Sequence, residues 1–378
     1  MTGRTDVGTI EDLHRSATKV TGLEDFGADD YLEALGVLLE SYQRDAGLTE
    51  LGSKMSRYFL RGALVARALS EASFKANPQH TETAITRPIF VTGLPRTGTT
   101  ALHRLLAADP QHQALEMWLA DFPQPRPPRD TWADNPVYRA VDQGFAQHRI
   151  ENPEYMGVHY MTAAEPEECW QLMRQTVKSI SYESLAYLPT YSQWLRKQDW
   201  TDAYARHRKN LQLIGLGDQR RWVLKNPSHL FALDALMKVY PDALIIQTHR
   251  DPVTIVGSSC SLSELTTKGW STTFVGETIG ATQLELWSRG LREFTAARAR
   301  YNPDQFLDIE FDELRANPFA TIEKIYSTFG LEYTDAARAA MVALDEESKS
   351  GDRKPSHRYS LADYGLTEDQ VRAEFRVP

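Results

Sequence analysis

The chain has 378 residues, 42% of them hydrophobic and 25% charged, with a formal net charge of −9. Such a length suits one large α/β domain with additions, or two domains, and the composition is that of an ordinary globular protein. The negative balance argues against nonspecific nucleic-acid binding, which needs a basic surface; the two cysteines, Cys169 and Cys260, make neither a disulfide framework nor a metal-ligand spacing, so a reduced chain is expected.

In chain order, the first stretch, "MTGRTDVGTIEDLHRSATKVTG", lacks an apolar core of signal-peptide length. No apolar run approaches the ~20 residues of a membrane span. The expectation is a cytoplasmic protein without an integral membrane segment. Residues 1 to about 85 read as helical. "DYLEALGVLLESYQRDA" and "LGSKMSRYFLRGALVARALSEASFKANP" carry apolar residues at helical spacing, and the second stops near Pro78. The expected division is a helical region, 1–85, packed on the core, and an α/β domain, 86–378, with a helical insertion at about 110–215.

"RPIFVTG" is a short β-branched run ending in glycine, as a buried parallel strand reads. "GLPRTGTT" follows, and then the helical "TTALHRLLAAD". Strand, glycine-bounded loop and helix are the context of a phosphate loop, G-x-x-x-x-G-K-[ST]. Gly93, Gly98 and Thr100 sit at the right positions, but Thr99 stands where the lysine belongs, and a basic residue, Arg96, lies inside the loop. Backbone N–H groups and the positive helix end bind an anion. The hydroxyls of Thr97, Thr99 and Thr100 and the Arg96 guanidinium add donors. Without the lysine a triphosphate is disfavoured.

The insertion contains the proline-rich "FPQPRPPRDTWADNP" and the helical patterns "VYRAVDQGFAQHRI", "PEECWQLMRQTV" and "SQWLRKQDWTDAYARHRKNLQLIG". Its many aromatics, Trp118 to Trp200, are mostly explained by helix packing, with a minority left to line an apolar acceptor pocket. The α/β pattern resumes with the strand "RWVLK", the helix "PSHLFALDALMKVY" and the strand "DALIIQTHR". A helix from "DPVTIVGSS", a long helix, the strand "QFLDIEF" and the helix "NPFATIEKIYSTFGL" complete it. Alternating strands and helices imply a parallel sheet flanked by helices. Arg250 ends a strand and Ser258 lies eight residues on, at the edge where sheet ligands bind.

"PIFVTGLPRTGTTALHRLL" followed by "LIIQTHRDPVTIVGSS" resembles the two nucleotide signatures of sulfotransferases, enzymes that use 3′-phosphoadenosine 5′-phosphosulfate (PAPS). "FLDIEFDELRANPFATIEKIYSTFGLE" is similar to the family's late strand-helix segment. The resemblance covers about residues 87–108 and 220–332. It implies a P-loop NTPase-like sulfotransferase fold, a 5′-phosphosulfate loop at residues 93–100 with Arg96 in place of a lysine, and a 3′-phosphate site at Arg250 and Ser258. It also implies a late basic loop over the 3′-phosphate, for which Lys354 and Arg358 are the residues present.

For catalysis, "WVLKNPSHLF" offers Lys225 as leaving-group stabiliser and His229 as the base that takes the acceptor proton. The family's Lys-x-His spacing is two residues shorter. The competitor is Glu167 in "AAEPEECWQL", among Glu165 and Glu168. Acidic residues are also expected there if the segment opens a helix. His159 is a further, upstream histidine. The expectation is in-line sulfuryl transfer from PAPS to a hydroxyl of a small molecule or glycolipid, without a metal. A nucleotide kinase and a noncatalytic nucleotide-binding protein remain alternatives.

Overall fold

The structure, a computed structural model, describes residues 3–151, 161–350 and 359–376. A five-stranded sheet lies at its centre, built from β1 (Ile89–Gly93), β2 (His112–Ala114), β3 (Arg221–Lys225), β4 (Leu244–His249) and β5 (Phe306–Glu310). The order is β2-β3-β1-β4-β5, and all pairings are parallel. All five β1 residues are buried, because helices cover both faces of a parallel sheet. Side chains alternate between those faces. Phe90, Trp222, Leu224 and Ile245 point into one core, and Ile89, Val91, Val223, Ile246 and Ile309 into the other.

The N-terminal region forms the helices Ile10–Thr21, Leu32–Arg44 and Glu50–Ala76. Thr9 opens the first with a capping box and Thr49 caps the third by accepting from Gly52 N. Leu35, Leu38, Leu60 and Leu64 from these helices share one core with Phe90 and Leu224 of the sheet. The region is therefore continuous with the sheet's Phe90 face.

Three differences from the sequence reading matter. β2 lies inside the range expected to be insertion, because three residues are too short to show a period. The run "SQWLRKQDWTDAYARHRKNLQLIG" splits into helices Pro189–Leu195 and Thr201–Ile214. "PEECWQLMRQTV" yields only the short helix Trp170–Met173 and a 3₁₀ turn, Arg174–Thr176. The glutamates before it stand in extended chain: Pro166 makes an antiparallel bridge with Glu116, and Glu167 N donates to Leu115 O at 2.7 Å. Of the insertion's aromatics, Trp118, Trp132, Tyr182, Tyr191 and Trp200 are core, whereas Trp170, Tyr187 and Trp194 are half-buried. Tyr155 and Tyr160 lie outside the described residues.

Candidate active site

β1 ends at Gly93, between the ends of β3 and β4. Gly93 has φ +144°, and a Cβ there would fall 2.5 Å from Thr248 Oγ1 and 2.6 Å from Thr248 O. Only glycine permits this close approach of β1 to β4. The loop turns at Arg96, a non-glycine residue at φ +67°, and at Gly98, φ +86°, which opens the helix Thr99–Ala107. A positive φ on arginine is strained backbone of the kind concentrated at binding sites. The Thr97 hydroxyl donates to Leu94 O at 2.6 Å and meets Thr248 Oγ1 at 2.5 Å. It locks the loop from inside, so the Thr97 hydroxyl, expected as a donor to the anion, is already engaged within the protein.

The two arginines lie together at the sheet edge. Arg96 Nε donates to Ser258 Oγ at 3.2 Å, and Arg250 Nη1 donates to the Arg96 carbonyl at 3.0 Å. The Arg250 guanidinium lies 4.1 Å from the centre of the Phe311 ring, a cation–π contact that holds it over the first turn after β5. Ser258 sits on the helix Pro252–Thr266, which Asp251 caps by accepting from Thr254 N at 3.1 Å. Burial, and then the positive charge of Arg250, hold the Arg96 guanidinium below its usual pKa. Two like charges close enough to depress one pKa, both half-buried, are an arrangement that an anion would relieve. Tyr359 packs over Gly257, where a Cβ would come within 2.7 Å of its ring. Lys354 and Arg358, expected over the same site, lie outside the described residues, as does His159.

Lys225 ends β3 with its side chain almost fully buried, and its ammonium donates to Thr100 Oγ1 at 3.3 Å. In a P-loop the same hydroxyl binds Mg²⁺; here it accepts from the lysine's ammonium. The ammonium also pairs with the Glu168 carboxylate. Cys169 N donates to Lys225 O at 3.0 Å, which fixes the glutamate segment against the strand end. The three glutamates thus have different surroundings. Glu165 pairs with Arg104 at 2.9 Å. Glu168 pairs with Lys225. Glu167 is buried, accepts from Glu168 N at 2.9 Å, and has its pKa pushed up to about 7 by burial and then by the Glu168 charge, against the pull of Lys225. Glu165 and Glu167 lie before the helix Trp170–Met173 rather than in its first turn, and Glu168 immediately precedes its N-cap, Cys169.

His229 is the main correction. It lies in the 3₁₀ turn Pro227–Phe231, wholly buried on the Phe90 face, with its ring 5.0 Å from that of Phe90. Nδ1 bonds the Tyr204 hydroxyl at 2.7 Å, and Nε2 is sealed without a partner. Burial pushes its pKa well below 6.5. An imidazole closed in a core of aromatics has no access to an acceptor hydroxyl, so it serves packing. The two extra residues in "KNPSH" turn the chain back under the sheet before the histidine is reached. Sequence reasoning did not pick out Thr248, Phe311 or the separate part of Glu168. Glu168 was visible as one of three adjacent carboxylates, but only its lysine partner distinguishes it.

These residues place a glycine-bounded turn at a helix N-terminus, two arginines, a lysine and a carboxylate pair along the carboxyl edge of a parallel sheet. Residues 88–335 match the model of a sulfotransferase family. The structure superposes on the crystal structure of sulfotransferase STF1 from Mycobacterium tuberculosis H37Rv with a TM-score of 0.93, at 60% identity over 98% of this chain and 99% of that one. It also superposes on sulfotransferase STF9 from Mycobacterium avium with a TM-score of 0.88, at 27% identity over 97% and 95% of the two chains. In sequence it is 24% identical over 270 residues to the omega-hydroxy-beta-dihydromenaquinone-9 sulfotransferase Stf3 of Mycobacterium bovis. That match takes in 65% of this chain and spans 63% of the length of the relative. The chain belongs to the sulfotransferase family.

Proposed function

We propose that the protein transfers a sulfuryl group from PAPS to the hydroxyl of a lipid or small-molecule acceptor. The observation that carries the reading is the pair Arg96 and Arg250, in which Arg250 holds the Arg96 carbonyl and its charge acts on the Arg96 guanidinium, beside a phosphate-loop turn whose lysine position is Thr99. A 5′-phosphosulfate with a separate 3′-phosphate needs two anion cradles and has no γ-phosphate for a P-loop lysine.

The loop N–H groups, Arg96 and Lys225 hold the 5′ end, and Arg250 with Ser258 holds the 3′-phosphate. The donor supplies the sulfuryl group, whose bond to the 5′-phosphate oxygen breaks as a bond to the acceptor oxygen forms in line. Lys225 and the loop amides stabilise the charge that collects on the departing bisphosphate. Glu167 receives the acceptor proton: with a pKa raised to about 7 it is matched to a base working near neutral pH. Glu168 positions Lys225. Kinship with a relative named for a hydroxylated menaquinone, and half-buried Trp170 beside the glutamates, support an apolar acceptor. The test is incubation with PAPS and a panel of hydroxylated lipids and phenols, read by mass spectrometry for a sulfated product. ATP-dependent phosphorylation, or no product with any acceptor, counts against the reading.

A further inference from the structure

The helix Glu50–Ala76 carries an exposed stripe that neither the sheet nor the cleft uses. Leu51 and Tyr58 are 46% and 59% exposed. With Lys54 and Arg61 they follow the three-and-four spacing of one helix face. The Tyr58 ring meets Phe59 at 5.9 Å, Phe59 meets Trp270 at 6.0 Å, and the Arg61 guanidinium lies 5.5 Å from the Tyr58 ring. The turn that holds Trp270 is fastened to the helix start, since Thr49 N donates to Trp270 O at 2.9 Å. Its exposed tip, Lys268–Gly269, lies beside Leu51.

This face is locally basic. The whole chain carries −9, but residues 50–62 hold Lys54, Arg57 and Arg61 against the single acid Glu50, and residues 266–276 hold Lys268 and no acid. Glu50 itself accepts from Gly3 N at 2.5 Å. A leucine and a tyrosine set among basic residues are what an anionic lipid surface binds.

The stripe also leads toward the site. One residue beyond Arg61 is Gly62, where a Cβ would lie 3.6 Å from Arg174 Nη1. The Arg174 guanidinium covers Trp170 at 5.4 Å, and Trp170 follows Glu168 by two residues. From Leu51 to Gly62 the helix spans roughly 16 Å, at about 1.5 Å per residue.

We infer that this stripe docks the protein on an anionic bilayer surface, so that an amphiphilic acceptor passes from the lipid along the helix to the carboxylate pair. The docking stands on the surface alone; the acceptor route rests on the proposed sulfuryl transfer. The experiment is co-sedimentation of the purified chain with vesicles of phosphatidylcholine alone, or of phosphatidylcholine mixed with phosphatidylglycerol. Two double variants at exposed positions accompany it, Lys54→Glu with Lys268→Glu, and Leu51→Ser with Tyr58→Ser, each checked by thermal melting. Binding is expected only to the anionic vesicles, weakened by salt and reduced about tenfold or more in each double variant. Turnover of a water-soluble phenol should stay at the parent level in both. Equal binding to neutral vesicles, no binding to either, or variants that bind like the parent would overturn the inference. So would self-association of the parent in the absence of lipid that the Leu51→Ser, Tyr58→Ser variant abolishes, since a second copy would then be the occupant. Vesicle binding that follows the expected pattern without any sulfated product leaves the docking in place and removes the proposed reaction instead.

Discussion

Arg250 reaches across 154 residues of sequence to donate from Nη1 to the carbonyl of Arg96 at 3.0 Å, while the Arg96 side chain turns to Ser258. The end of β4 therefore holds the strained turn of the β1 loop, and the loop's arginine reaches the helix after β4. The loop, the end of β4 and the helix after it are thus tied together through these two arginines.

Arg250→Ala should weaken 3′-phosphoadenosine 5′-phosphate more than adenosine 5′-phosphosulfate, which lacks the 3′-phosphate. Losing a charge-assisted hydrogen bond costs on the order of 1.5–3 kcal/mol. Because Arg250 also ties the Arg96 carbonyl, a smaller loss for the second ligand is expected. Calorimetric titration of both ligands checks this; equal losses would make Arg250 a purely structural residue.

The bisphosphate should protect the protein from heat, and ATP with Mg²⁺ should protect it little. At a concentration 100 times the dissociation constant the gain is about 2.7 kcal/mol. Differential scanning fluorimetry reads the shift, and a larger one with ATP and Mg²⁺ would favour a kinase.

Glu167→Gln should lower turnover roughly 10²–10⁴-fold with nucleotide affinity nearly unchanged. In the parent, the rate should fall as pH drops below about 7, since a protonated carboxyl cannot accept a proton. Stability gives an independent readout. The carboxyl's folded pKa lies above the ordinary 4.5, so the folded state binds more protons between 4.5 and about 7 and stability is lost as pH rises through that window. Glu167→Gln should thus melt higher than the parent at pH 8 and lose that advantage near pH 4.5. An active, unshifted Glu167→Gln protein would move the base to Glu168.

His229→Ala should cost on the order of 2–5 kcal/mol of stability, as a cavity opens beside Phe90 and the Tyr204 hydroxyl loses its partner. Turnover per folded molecule should change less than about tenfold. Urea unfolding together with initial rates at low temperature separates the two; a stable but inactive His229→Ala protein would restore the histidine as base.

The sequence by itself determined the order of strand, turn and helix at "FVTGLPRTGTT", because glycines at fixed spacing and a buried β-branched run are local features. It also determined that Arg250 stands at the end of a strand, one residue past β4, with Ser258 on the helix that follows, since both follow from one βα step. It did not separate Glu165, Glu167 and Glu168, which look alike as text. Only the closed chain gives the first Arg104, the second a buried place and the third Lys225, 57 residues away. Nor did it reveal that the two extra residues between Lys225 and His229, relative to a Lys-x-His spacing, carry the histidine under the Phe90 face of the sheet. Burial and charge pairing depend on which distant surfaces the fold brings together, and the tertiary structure alone decides that.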